Sequence, residues 1–245
     1  MAFFKFFGQI VEKLFTNKLL FAIITQKSVF GKGETSMSKK VVITIARQYG
    51  SGGREIGERV AELLSIPIYD KELIKDAAEK GELNEEVIKS ADESAANSLL
   101  YTLAMGSNVL GTTMHFGYKM PINDKLFILQ SDTIKEYAKR GSCVIIGRCS
   151  DYVLRDEPGV FRLFIYGDLD HRQARVRDRH PEIKSSQIID VINKTDKRRA
   201  SYYNFYTGNK WGKYDNYDMA INSSTLGIEG TAQVIAACAK KILEG

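Results

Sequence analysis

The sequence predicts an α/β fold, a parallel sheet with helices packed on its faces. Three observations predict it. The stretch 41–64 reads VVITIA, then RQYGSGG, then REIGERVAELL: a buried strand, a glycine-rich turn and an amphipathic helix. Further along, apolar runs of strand length alternate with longer helical patterns, the mark of βαβ units. An arginine, Arg148, directly follows the apolar run VIIG, at the strand end where open α/β sheets form their ligand crevice.

Strands are expected at Val41–Ala46, Cys143–Gly147 and Val160–Tyr166, with shorter runs at Ile66–Tyr69 and Met219–Asn222. Helical patterns cover Arg54–Leu64, Asp70–Glu79, Asp124–Arg140, Asp168–Arg177, Ser185–Tyr206 and Gly227–Leu243. Asp124, Asp168 and Ser185 stand where N-caps or first-turn acids belong. Between about 84 and 123 the pattern weakens into small polar residues, glycine and scattered apolar groups. That is too long for a structureless loop in a compact domain. It reads as a helical insertion beside the site, or as a homodimer surface.

The 245 residues suffice for one α/β domain with an inserted subdomain. The +5 net charge is too small alone to argue for nucleic acid. Three cysteines without metal-ligand spacing fit a reducing cytoplasm and no zinc or disulfide framework. Residues 1–36 are rich in phenylalanine and lysine and differ from the rest. Lys5, Glu12, Lys13 and Lys18 interrupt this stretch too often for a transmembrane segment. Three readings stay open: a start codon placed too early, with Met37 the natural beginning; a membrane-surface amphipathic helix; or a packed extension. The domain proper is taken as 37–245.

A glycine turn opening a helix is a prepared phosphate site, because unpaired backbone N–H groups and the helix dipole converge there. Gly50, Ser51, Gly52 and Gly53 make that cradle, with Glu55 in the first helical turn. A phosphate loop of the form G-x-x-x-x-G-K-[ST] wants lysine after its last glycine, and this chain has none there. The charge must come from elsewhere. Arg54 could reach a β- or γ-phosphate, or merely pair with Glu58 four residues on. Arg47, before the turn, is a second candidate. Arg148 can fork onto an acceptor phosphate, or pair with Asp151 or Asp156. From Arg172 to Arg199 nine Lys/Arg stand against four acids, an excess equal to the net charge of the whole chain. Joined around His180-Pro181, this stretch suits a lid over phosphates, at about 172–206. Asp70 begins a helix and either binds an acceptor or caps that helix. Glu55 and Asp196 are candidates for indirect magnesium contact, while Trp211 stacks on a base or packs against the last strand. The three histidines form no metal spacing.

Several segments together resemble the cytidylate kinases, most closely the divergent cytidylate kinase-like group. They are ITIARQYGSGGREIG, IPIYDKELI, CVIIGRCSDYVL, LFIYGDLDHRQARVRDR and DKRRASYYNFYTGNKWGKYDNYDMAINSSTLGIEGTAQVI. The resemblance covers roughly Val41 to Leu243. It implies a three-layer P-loop NTPase fold with a parallel five-stranded sheet, a helical insertion and an arginine-rich lid. It implies a transferase using ATP and Mg2+ to phosphorylate a nucleoside monophosphate, with CMP or dCMP first. It makes Arg175, Arg198 and Arg199 lid arginines and Asp70 and Arg148 acceptor-binding residues. Against the family pattern, Gly53 stands in place of the lysine, Glu55 in place of a hydroxyl, and Cys149 in place of the aspartate after Gly-Arg.

Two other functions remain open from the sequence: a nucleotide-binding protein with lost or altered transfer, and a kinase for another small acceptor. A dinucleotide oxidoreductase is disfavoured because Glu55 stands where G-x-G-x-x-G needs glycine. RNA binding is disfavoured because the basic residues lack interleaved aromatics.

Overall fold

A computed structural model describes residues 40–81 and 122–244. The N-terminal extension 1–36 and almost all of the expected insertion at about 84–123 lie outside the described residues.

The central strand β1 (Val42–Arg47) is apolar almost throughout, as a strand covered on both faces must be. It pairs in parallel with β3 (Cys143–Ile146) on one side and β4 (Val160–Tyr166) on the other. The two-residue β2 (Ile68–Tyr69) extends the sheet beyond β3, and β5 (Met219–Asn222) extends it beyond β4. The order β2-β3-β1-β4-β5 is all parallel, so every connection is a crossover and helices cover both faces.

Side chains alternate across the sheet and build two cores. Val41, Ile43 and Ile45 pack with Val144, Ile146 and Leu163 against α1 (Gly53–Leu64) and α7 (Ser223–Glu244). On the opposite face Val42, Cys143 and Ile145 pack with Leu73 of α2 (Lys71–Lys80) and Ile134 and Tyr137 of α3 (Ile122–Arg140). Leu154 joins that second core at the end of the short α4 (Ser150–Val153). The remaining helices, α5 (Leu169–Arg179) and α6 (Ile188–Thr207), pack together through Val176, Ile188 and Ile192.

The architecture is the expected three-layer α/β fold, with shifted boundaries at several points. β3 stops at Ile146 because Gly147 turns left-handed at φ 69°. The helix expected from Ser185 begins as a 3-10 turn, Ser185–Gln187. α7 joins a short helical turn from Ser223, where the Asn222 side chain accepts the Ser224 N–H at 3.0 Å, to the helix expected from Gly227. Gly227 is a break inside it, at φ 65° and ψ −174°. Among the described residues no helix is long and apolar enough to cross a membrane.

Candidate active site

Strands β1 and β3 are neighbours, yet the helices that follow them, α1 and α4, lie on opposite faces. Their carboxyl ends therefore part to leave a crevice, the usual ligand position in an open α/β sheet. A cavity of about 550 Å³ occupies it.

The glycine turn forms one wall. Gly50 and Gly52 are left-handed at φ 80° and 75°, and a Cβ on Gly50 would lie 2.8 Å from the Arg172 carbonyl oxygen. Two helices hold the turn from behind. The Tyr49 N–H donates to Asp196 at 2.7 Å, and Arg172 Nε donates to the Tyr49 carbonyl at 2.7 Å. Arg172 and Asp196 also pair with each other. Asp196 is thus engaged with backbone and arginine and does not line the cavity. Ser51 is buried; its hydroxyl donates to the Gln48 carbonyl at 2.9 Å and does not reach the cavity.

Seven arginines line the cavity. From the sheet side come Arg47, ending β1, and Arg148, just after β3. Gly147, Arg148 and Cys149 are all left-handed, at φ 69°, 57° and 56°. Two of these are not glycine, so the turn that carries Arg148 holds backbone strain of about 1–3 kcal/mol per residue. Asp156 pairs with Arg155, and the buried Asp151 accepts the Tyr203 hydroxyl at 2.7 Å. Burial raises the Asp151 carboxyl, with the Tyr203 hydrogen bond opposing it. Burial also pushes the Cys149 thiol well up.

Arg54 lies on the wall within 3.0 Å of Glu58 and 3.3 Å of Asp70, so the helix-surface pairing is present beside a contact across the site. Asp70 lines the cavity and makes no side-chain cap hydrogen bond at the head of α2, against the capping reading. From α5 come Arg175 and Arg179, both paired with Glu55, the Arg175 contact at 2.7 Å. Glu55 itself stands outside the cavity wall, and its carboxylate faces these arginines. From α6 come the adjacent Arg198 and Arg199. Arg199 donates to the Arg47 carbonyl at 2.9 Å and sits 5.6 Å above the Tyr49 ring. Trp211 lines the cavity while packing edge-on against Phe164, 5.3 Å away, on β4 rather than on the last strand.

The carboxylates on the wall are Asp70 and Asp151. The positive excess shows at Arg47, which burial and then Arg199 bring down to about 9, with Asp70 opposing and Arg148 and Arg54 adding to the fall. The site is built to receive several negative charges. Residues that the sequence reading missed are Arg179, submerged in a basic run, and Asp151, Tyr202 and Tyr203, which reach the cavity only through the packing of α4 and α6.

Fold and crevice together define the class, a three-layer α/β protein with a parallel five-stranded sheet and an arginine-lined crevice at its carboxyl edge. The chain belongs to the cytidylate kinase-like family, whose profile matches residues 42–225. Among solved structures it is similar to an uncharacterized protein from Eubacterium ventriosum, at 27% identity and a TM-score of 0.59, covering 82% of this chain and 99% of that one. A shikimate kinase from Bacteroides thetaiotaomicron matches at 14% identity and TM-score 0.47, covering 82% and 98%. A gluconokinase from Sinorhizobium meliloti matches at 14% and 0.43, covering 84% and 97%. No curated protein matches the chain.

Proposed function

We propose that the chain is a phosphotransferase that moves the ATP γ-phosphate to a pyrimidine nucleoside monophosphate such as CMP or dCMP. The carrying observation is the convergence of seven arginines on a cavity of about 550 Å³ with a glycine turn as one wall. Phosphoryl transfer asks for two phosphate-bearing groups held in line and for cations that neutralise the charge between them. The backbone N–H groups of Gly50–Gly53, at the head of α1, cradle the donor phosphates. Arg148 grips the acceptor phosphate from the other side of the crevice, and Asp70 accepts a hydroxyl or amine of the acceptor. Arg175, Arg198 and Arg199 close over the phosphates as the lid and exclude water.

Among the described residues no group of three or more His, Cys, Asp or Glu side chains could hold a metal. In this reading magnesium arrives on the nucleotide, since Mg2+ is bound through one or two carboxylates plus substrate phosphates. The ion would shield the phosphate oxygens during transfer. The setting is cytoplasmic, where ATP and nucleotides are present.

One observation favours a second reading, a nucleotide-binding protein with little transfer: Glu55 neutralises Arg175 and Arg179 at the edge of the cradle. Measuring ADP release by the full chain from Mg2+–ATP, with CMP, dCMP, UMP, AMP and GMP offered in turn, separates the two. Turnover fastest with CMP or dCMP is expected. ATP binding with no turnover on any acceptor would mean the second reading is correct.

A further inference from the structure

In a loop of the form G-x-x-x-x-G-K a glycine opens the loop and a lysine stands six residues later. In this chain Arg47 holds the first of those positions and Gly53 the later one, so glycine and cation have changed places. The structure shows that the two changes depend on each other. A Cβ on Gly53 would lie 2.6 Å from the Arg47 Cβ and 2.9 Å from its Cγ. No side chain fits at 53 while Arg47 is present. At its far end the same arginine runs past Gly147, where a Cβ would lie 2.0 Å from Nη1. Arg47 thus threads from the central strand between two residues that lack side chains, one opening α1 and the other following β3.

We propose that Arg47 is the catalytic cation of this phosphate cradle, doing from the end of β1 what a lysine at position 53 would do from α1. The inference rests on the phosphotransferase reading and names the residue that contacts the transferred phosphoryl group. Its position is the right one, because it lines the cavity between the glycine turn and the Gly147–Arg148 turn on the acceptor side. Arg54 pairs with Glu58 and Asp70, Arg172 with Asp196, and Arg175 and Arg179 with Glu55. No ion pair among the described residues uses the Arg47 guanidinium. Its main chain is fixed as well, by the hydrogen bond from Arg199 to the Arg47 carbonyl. A planar guanidinium on this route offers two parallel donors to a phosphoryl group, which an ammonium cannot.

The experiment compares the full wild-type chain with Arg47→Met, Gly53→Lys and the double exchange Arg47→Gly/Gly53→Lys. Calorimetry measures binding of inorganic tripolyphosphate and of ATP, and a coupled assay measures transfer to CMP. Thermal melts identify any variant that fails to fold. Arg47→Met should weaken tripolyphosphate about tenfold and lower transfer about 100-fold or more, the scale of losing one aimed donor. Gly53→Lys should be equally damaged, because the new side chain collides with Arg47. The double exchange should regain at least about tenfold over either single variant. Arg47→Met with wild-type affinity and kcat, or a folded double exchange no better than the singles, overturns the proposal. A wild-type chain that binds tripolyphosphate but phosphorylates no acceptor defeats the phosphotransferase reading instead, and the binding arm still decides whether Arg47 holds the phosphate.

Discussion

Arg172 on α5 and Asp196 on α6 pair with each other and grip the same backbone unit, the N–H and carbonyl of Tyr49. The glycine turn therefore owes its shape to two helices more than a hundred residues away. Any movement of α5 and α6 over the cavity must pivot around this fixed point.

Removing one partner of that pair leaves an uncompensated charge, because the two side chains are only 8% and 16% exposed. Asp196→Ala should cost about 3–5 kcal/mol. Urea denaturation monitored by circular dichroism measures it, and a loss below about 1 kcal/mol would contradict the clamp.

Glu55 acts in the opposite direction, occupying two arginines that a polyphosphate would otherwise use. Each of these part-exposed pairs contributes up to about 1 kcal/mol. Glu55→Ala should therefore bind magnesium-free tripolyphosphate roughly fivefold to tenfold more tightly. Weaker binding in the variant would show instead that Glu55 holds the arginines in their ligand-binding positions.

Arg47 gives the site a pH dependence whose sign can be worked out. Burial and its arginine neighbours lower the Arg47 guanidinium from its ordinary, strongly basic range to about 9. Below about 9 both states carry the proton, and the folded state bears the whole cost of the confined charge. Above about 9 the unfolded chain binds more protons, so this group makes stability rise with pH there. A bound polyphosphate favours the charged form, and binding near pH 9 takes up a proton. Tripolyphosphate affinity should stay flat between about pH 7 and 8 and fall above about 9. Calorimetry across this range should show no such fall in Arg47→Met.

Gly50→Ala tests the turn itself. At φ 80° a Cβ is strained, and here it would also meet a backbone oxygen at 2.8 Å. A loss of about 2 kcal/mol is expected, with tripolyphosphate affinity reduced as well. A thermal melt within a degree of wild type would show that the turn relaxes without cost.

Much of the fold was legible in the chain. β1, β3 and β4 announce themselves because strands buried on both faces read as unbroken apolar runs. Gly227 was legible as a helix boundary, whereas the short helical turn before it was not, since it depends on the Asn222 side chain accepting the Ser224 N–H. At the site, Arg148 was legible from its place after VIIG. Arg179 was hidden in a run of like charges, and the contact of Asp151 with Tyr203 depends on packing between α4 and α6.

The sequence by itself determined the α/β layering, the glycine turn and the concentration of arginines, because these follow from periodicity, glycine and charge along short stretches. Only the tertiary structure decided which arginines are engaged and which face the cavity. Arg172 is consumed by Asp196, and Arg175 and Arg179 share Glu55, while Arg47 threads between Gly53 and Gly147 with no ion pair among the described residues. The reason is physical: an ion pair or a steric slot is set by distance in space, and Gly147 reaches Arg47 only because β1 and β3 lie side by side in the sheet.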